Sequence, residues 1–177
     1  GLSSHELNMP GAYKEVKDTT VVALFKVIKN DQSSFLFDDP NEDVRIAAWT
    51  TTPWTLPSNT ALCAGPDISY IKIKTSNPYT HTPVSVVLAE ALVPNWFGGK
   101  NQSTVEGQSA AFKGSKMKGI RYEPLLDFGN EIEPLLGGTD AYLVLTGDHV
   151  TTSDGTGIVH TAPSFGADDQ RVAKANG

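Results

Sequence analysis

The chain has 177 residues with a formal net charge of -6, 16 glycines, 11 prolines and one cysteine. That length buries a core without metal or disulfide support, and the lone Cys63 excludes an intrachain disulfide framework or a thiolate metal cluster. The acid excess argues against a broad phosphate-binding face. No apolar run reaches the roughly 20 residues that span a bilayer, and the first residues lack a signal-peptide pattern, so the expectation is a cytoplasmic monomer without membrane contact.

In chain order, "TTVVALFKVIK" (19–29) is β-branched and apolar and predicts a strand, "NDQSSFLFDDPNE" is turn material, and "DVRIAAWT" (43–50) predicts a second strand that ends on threonines. "ISYIKIK" (68–74) alternates apolar with polar, so one face packs inward and the other, with Lys72 and Lys74, meets water. "PVSVVLAEALVPNWFGG" (83–99) opens as a strand and changes period near Ala89 into a short helix that stops by Pro94 or Gly98. Residues 100–139 carry scattered Gly and Pro and predict only short elements. Within them, Asn101-Gln102-Ser103 is a chance match to the glycosylation pattern, and "KGSKMKGIR" (113–121) reads as a solvated basic loop. "DAYLVLTGDHV" (140–150) and "GTGIVHTAP" (155–163) predict strands joined by the turn "TTSDG", and "GADDQRVAKANG" the first turns of a helix. Without β-α-β alternation or a repeat period, these elements make one domain over 1–177, mostly β or α+β, with a barrel or sandwich-like core and short peripheral helices.

The sequence holds no G-x-S-x-G elbow, no zinc spacing and no phosphate loop; "GTG" at 155–157 is too short for one. Three stretches remain. In "AAWTTTPWTLPSN" (47–59), Pro53 fixes its own φ and keeps Thr52 out of the helical region, so Thr50–Pro53 is expected to be extended, with Thr50 and Thr52 on one side and Thr51 on the other. Those hydroxyls suit a polar ligand and Trp54 a flat apolar wall; the plainer reading is a strand end with Trp54 in the core. In "GTGIVHTAPSFG", His160 stands at a strand end, where ligand sites collect, or is a satisfied structural histidine. In "GADDQR", Asp168 and Asp169 occupy a helix's first turn, which favours acids by its dipole alone.

Taken together and in this order, "AAWTTTPWTLPSNTA" and "GDHV...DGTGIVHTAPSFGADD" resemble the inserted editing domain of isoleucyl-tRNA synthetases, class I enzymes. The sister domains of valyl and leucyl enzymes typically read Thr-Thr-Arg-Pro and carry Lys or Met where this chain has His160; Thr52-Pro53-Trp54 and His160 fall on the isoleucyl side. The resemblance implies a β-barrel core in a segment excised from a larger enzyme. It also implies a hydrolase that deacylates mischarged valyl-tRNA(Ile), with valyl-adenylate as a second substrate, while excluding isoleucyl by size. "SKMKG" (115–119) has the wrong residue order for the parent's lysine-rich ATP signature, and the histidine-rich partner motif is missing. No cofactor or metal is therefore expected in this domain, ATP and Mg belonging to the parent enzyme.

Carried over by motif position, Asp169 pairs with the substrate's α-ammonium, and Asp168 is the blander helix-start acid. Thr51 and Thr52, with Thr50 beside them, bind the aminoacyl carbonyl, the terminal adenosine or the attacking water. His160 borders the side-chain pocket and sets its size, Trp54 is another wall, and Asn59 joins the shell. The implied partners are the 3′ end of mischarged tRNA(Ile), held weakly by so acidic a domain, and the remainder of the synthetase. The alternatives are a valyl- or leucyl-type editing domain, or a non-catalytic β-barrel ligand-binding module.

Overall fold

A computed structural model describes residues 19–100, 102–126 and 141–176. Asn101 of the glycosylation match, residues 127–139 and the first residue of the 140–150 strand lie outside them. The strands are β1 (Val21–Lys26), β2 (Val44–Thr50), β3 (Ala61–Ala64), β4 (Ser69–Ser76), β5 (Pro83–Ala89), β6 (Gly107–Gln108), β7 (Phe112–Lys113), β8 (Leu143–Thr146) and β9 (Ile158–Thr161). The helices α1 (Val93–Trp96) and α2 (Ala167–Ala175) are short, as are several 3-10 turns. Among the described residues no helix is long and apolar enough to cross a membrane.

The strands form one mixed sheet in the order β6-β4-β5-β2-β9-β3-β8, with β1 on β2 and β7 on β4. β2 organises it: β1 runs antiparallel to it over its whole length, while β5 (opposite Val44 to Ile46) and β9 (opposite Trp49) both run parallel to it. No strand ladder joins β8 to β1, so the expected barrel is open as a sheet. The gap is spanned instead by residues 119–123 through the isolated bridges Arg121↔Leu143 and Val27↔Tyr122. Phe25, Ile46, Leu62, Tyr70, Tyr122 and Ile158 fill the space enclosed, each at most 1% exposed.

Three local expectations are corrected. The predicted strands at 140–150 and 155–163 are both present but do not pair with each other. They flank β3, parallel for β8 and antiparallel for β9; β3 itself lies in the run around Cys63 where no strand was predicted. Lys72 does not meet water: it is 1% exposed, because residues 34–42 fold over that face of β4 and receive its ammonium. Lys72 Nζ donates to Leu36 O (2.8 Å), Glu42 Oε1 (2.8 Å) and Asp38 Oδ2 (2.9 Å). The Lys74 and Lys72 ammoniums in turn hold the Asp38 carboxyl at about 2. The basic run is not simply a solvated loop either, since Lys116 and Lys118 are exposed while Met117 and Ile120 sit in the core.

"GTG" has a packing explanation. Gly155 and Gly157 both have φ +72, which favours glycine. A Cβ on Gly157 would overlap the Ala89 Cβ, and one on Gly155 would press into the Trp49 ring. Their carbonyls are used as well, Gly155 O accepting from Trp96 Nε1 (2.7 Å) and Gly157 O from the Tyr70 hydroxyl (2.6 Å).

Candidate active site

The two motif regions meet at one end of the β2-β9 pair. β2 delivers Thr50 to the sheet's edge, and the chain then turns into a 3-10 helix, Pro53–Ser58, with Pro53 in its first turn, where a missing N–H costs nothing. Extension therefore ends sooner than expected: Thr52 has φ -125 and ψ 66, outside the helical region but not fully extended. Thr50 and Thr52 share a side as expected, their hydroxyls 3.3 Å apart, but Thr51 lines the same cleft as both. Thr50 is buried, while Thr51 and Thr52 are exposed.

From the other end of the chain β9 carries His160, and Ala162–Gly166 leads into α2 with Asp169 in its first turn. Asp169 Oδ2 accepts from the Ala162 N–H at 2.9 Å, which ties the helix start back onto the strand end. Gly166 lies close beneath that carboxylate: a Cβ there would come within 3.0 Å of Asp169 Cγ. Asp168 points elsewhere and pairs with Arg171 at 2.9 Å on the exposed side.

Between these segments lies a cleft of about 370 Å³, within the range of ligand pockets of roughly 300–1,000 Å³. It brings together Thr50, Thr51, Thr52, Trp54, His160 and Asp169. Trp54 is 67% exposed, so it belongs to the rim and not to the core. Phe165, also exposed, stands on the wall with it. Asn59 does not line the cleft; it is buried behind His160.

The neighbours of His160 favour one tautomer. The Thr55 hydroxyl donates to Thr52 O (2.8 Å), so its oxygen is the acceptor for His160 Nε2 at 2.8 Å, and Nε2 carries the ring's proton. Asn59 Nδ2 donates to Ala61 O (2.8 Å) and turns its other hydrogen toward His160 Nδ1 at 3.5 Å. Asn59 Oδ1 is left to accept from the Tyr122 hydroxyl at 2.7 Å. A ring so placed has no acceptor for a second proton. Burial holds the His160 pKa below its usual value, against the opposing pull of Asp169. Cys63, on neighbouring β3, is no nucleophile, because burial with Asp169 and Asp148 nearby pushes its thiol up to about 12.

Sequence reasoning missed Thr55 and Phe165. Thr55 carried a usable signal, since a 3-10 turn begun at Pro53 brings residue 55 back under residue 52. Phe165 carried none.

No protein-family model matches the chain. Over its full length it is 47% identical to part of the isoleucine–tRNA ligase of Porphyromonas gingivalis and 48% identical to part of that of Bacteroides fragilis. The Treponema denticola enzyme is 40% identical over 99% of the chain. The chain spans only 16% of the length of the first two relatives. Among solved structures, GlLeuRS-CP1 superposes with a TM-score of 0.66 at 18% identity, covering 88% of this chain and 59% of that one. The P. knowlesi cytosolic leucyl-tRNA synthetase editing domain gives 0.60 at 14% identity, covering 90% and 65%. The fold is thus shared with these leucyl-tRNA synthetase domains. By sequence the chain matches, over its full length, one segment of isoleucine–tRNA ligases.

Proposed function

We propose that the chain is the proofreading segment of a cytoplasmic isoleucyl-tRNA synthetase, hydrolysing the ester of valyl-tRNA(Ile), and valyl-adenylate, while excluding isoleucyl by size. The observation that carries this reading is the convergence of Thr50, Thr51, Thr52, His160 and Asp169, from motifs roughly a hundred residues apart, on one cleft. One methylene gives only about 1–3 kcal/mol of discrimination, a figure established on this same class of enzyme, so a second, size-excluding site is needed to separate valine from isoleucine.

Asp169 is the anion for the substrate's α-ammonium, a charge that needs a partner once it leaves water. Thr51 and Thr52 orient the aminoacyl carbonyl, the terminal adenosine or the water, with Thr50 behind them. His160 limits the depth available to the side chain, Trp54 closes the rim, and Asn59 supports His160 from behind. No cleft side chain stands ready as a general base: Asp169 is committed to the ammonium, and both His160 nitrogens are engaged. Hydrolysis then rests on orientation of the water and on the substrate's own ribose hydroxyl. The domain needs no metal or cofactor of its own, and the rest of the synthetase supplies most tRNA contacts.

The deciding assay incubates the chain with valyl-tRNA(Ile), threonyl-tRNA(Val) and isoleucyl-tRNA(Ile). Loss of the first ester alone is expected. Loss of the threonyl ester instead would assign a valyl-type site, and no loss of any would leave a binding module.

A further inference from the structure

We propose that Tyr122 is a positioning residue for the cleft: acting through the Asn59 amide, its hydroxyl holds the His160 ring in the Nε2–H form and fixes where the side-chain pocket ends. This rests on the reading of the cleft as an editing site. Tyr122 touches no part of the cleft and lies in the seam between β8 and β1. It is 1% exposed, with its ring edge-on to Phe25 (5.1 Å) and Tyr142 (6.2 Å).

Packing explains the ring but not the hydroxyl, which is a costly group to place in an apolar interior unless it has a partner. Its partner is Asn59 Oδ1 at 2.7 Å, 63 positions away in sequence. Tyr122 is the donor in that bond, because Asn59 must present its NH2 to Ala61 O, which can only accept. Burial keeps the phenol protonated and therefore a donor. Two bonds thus pin the amide from opposite ends, and the hydrogen left over faces His160 Nδ1. A ring nitrogen facing a donor must be the unprotonated one, so the proton resides on Nε2 and goes to Thr55. With the Tyr122 hydroxyl removed, the amide oxygen loses its anchor and only the NH2 is held, by Ala61 O and the longer contact to His160 Nδ1, so the amide can tilt and the ring is no longer held to one tautomer and one position.

The test uses the 177-residue chain with 15N-labelled histidine. In the unaltered protein His160 shows an unprotonated Nδ1 and a protonated Nε2. Tyr122→Phe yields a mixture of tautomers, and the ratio of valyl- to isoleucyl-tRNA(Ile) hydrolysis falls by up to roughly tenfold, the equivalent of about one net hydrogen bond. Phe25→Leu loosens the same packing but leaves the hydroxyl, so tautomer and ratio stay as in the unaltered protein. Incorporation of 3-fluorotyrosine keeps the ring and strengthens the donor, and it moves the His160 Nδ1 resonance without the loss of fold a substitution risks. A protonated Nδ1 in the unaltered protein, unchanged spectra and selectivity in Tyr122→Phe, or a Nδ1 resonance indifferent to fluorination overturns the proposal. If the unaltered chain hydrolyses no ester, the functional reading fails, and the nitrogen spectra still decide the role of Tyr122.

Discussion

Thr55 Oγ1 and His160 Nε2 lie 2.8 Å apart although 105 positions separate them in sequence, and this buried contact joins the two halves of the cleft. Thr55→Val keeps the shape and deletes the link, leaving His160 Nε2–H without its partner, while Thr52 O keeps only the Thr55 backbone N–H (3.0 Å). The expected cost is about 1–3 kcal/mol of stability, read by urea denaturation, since each buried group loses a hydrogen bond. Thr55→Ser restores most of it.

Asp169 has two tasks that a pair of substitutions separates. Asp169→Asn keeps an oxygen for the Ala162 N–H and removes only the charge. The fold survives and kcat/KM on valyl-tRNA(Ile) falls about ten- to a hundredfold, equivalent to the 1.5–3 kcal/mol of a charged hydrogen bond. Asp169→Ala loses the strand tie as well, so its melting temperature drops below that of the Asn variant.

His160 makes the opposite prediction from Asp169. His160→Ala enlarges the pocket, and hydrolysis of isoleucyl-tRNA(Ile) rises toward that of the valyl ester. The check is the ratio of the two rates.

The Lys72 cluster governs stability away from the cleft. Lys72→Met strands Glu42 in a largely buried position and costs about 3–5 kcal/mol in denaturant unfolding. The double change Lys72→Met with Glu42→Gln recovers most of the loss.

Acid weakens the protein in two windows. The His160 pKa is depressed in the folded state, so below the unfolded value of 6.5 the unfolded chain takes up a proton that the native state resists, and stability falls as pH drops through that value. Asp38 and Glu42 are depressed carboxylates, so their contribution is whole above the unfolded values of 3.8 and 4.5 and is lost below them, toward about 2 for Asp38. Urea midpoints at successive pH values resolve both windows, and His160→Gln flattens the upper one.

The strand-rich class and β2 were legible because their signals are local β-branched runs, whereas the cleft residues, each open to a plainer reading alone, were singled out by the resemblance of two whole motifs. Lys72 was misread because alternation describes a strand with one face in water, and nothing near residue 72 reveals that 34–42 will cover that face. β3 was missed because "ALCA" is only four residues long, too short for periodicity to tell strand from core. Tyr122 carries no signal of its own, and Asn59, placed in the shell by motif position, gives no hint that it stands behind His160, since both depend on a hydrogen bond between segments that only the closed fold brings together.

The seam between β8 and β1 also bears on the order in which the molecule assembles. Its bridges join residues such as Lys26 and Glu123, which pair at 2.9 Å across 97 positions of chain and on the exposed surface. The hairpin-like β1-β2 and β4-β5 ladders close far shorter loops and repay them with continuous hydrogen bonds. The seam is therefore expected to close last and to open first, so the amides of Ile28, Tyr122 and Glu123 should exchange with solvent ahead of those in β2. On that order, a pocket whose histidine is held from the seam would be the last part of the molecule to be completed.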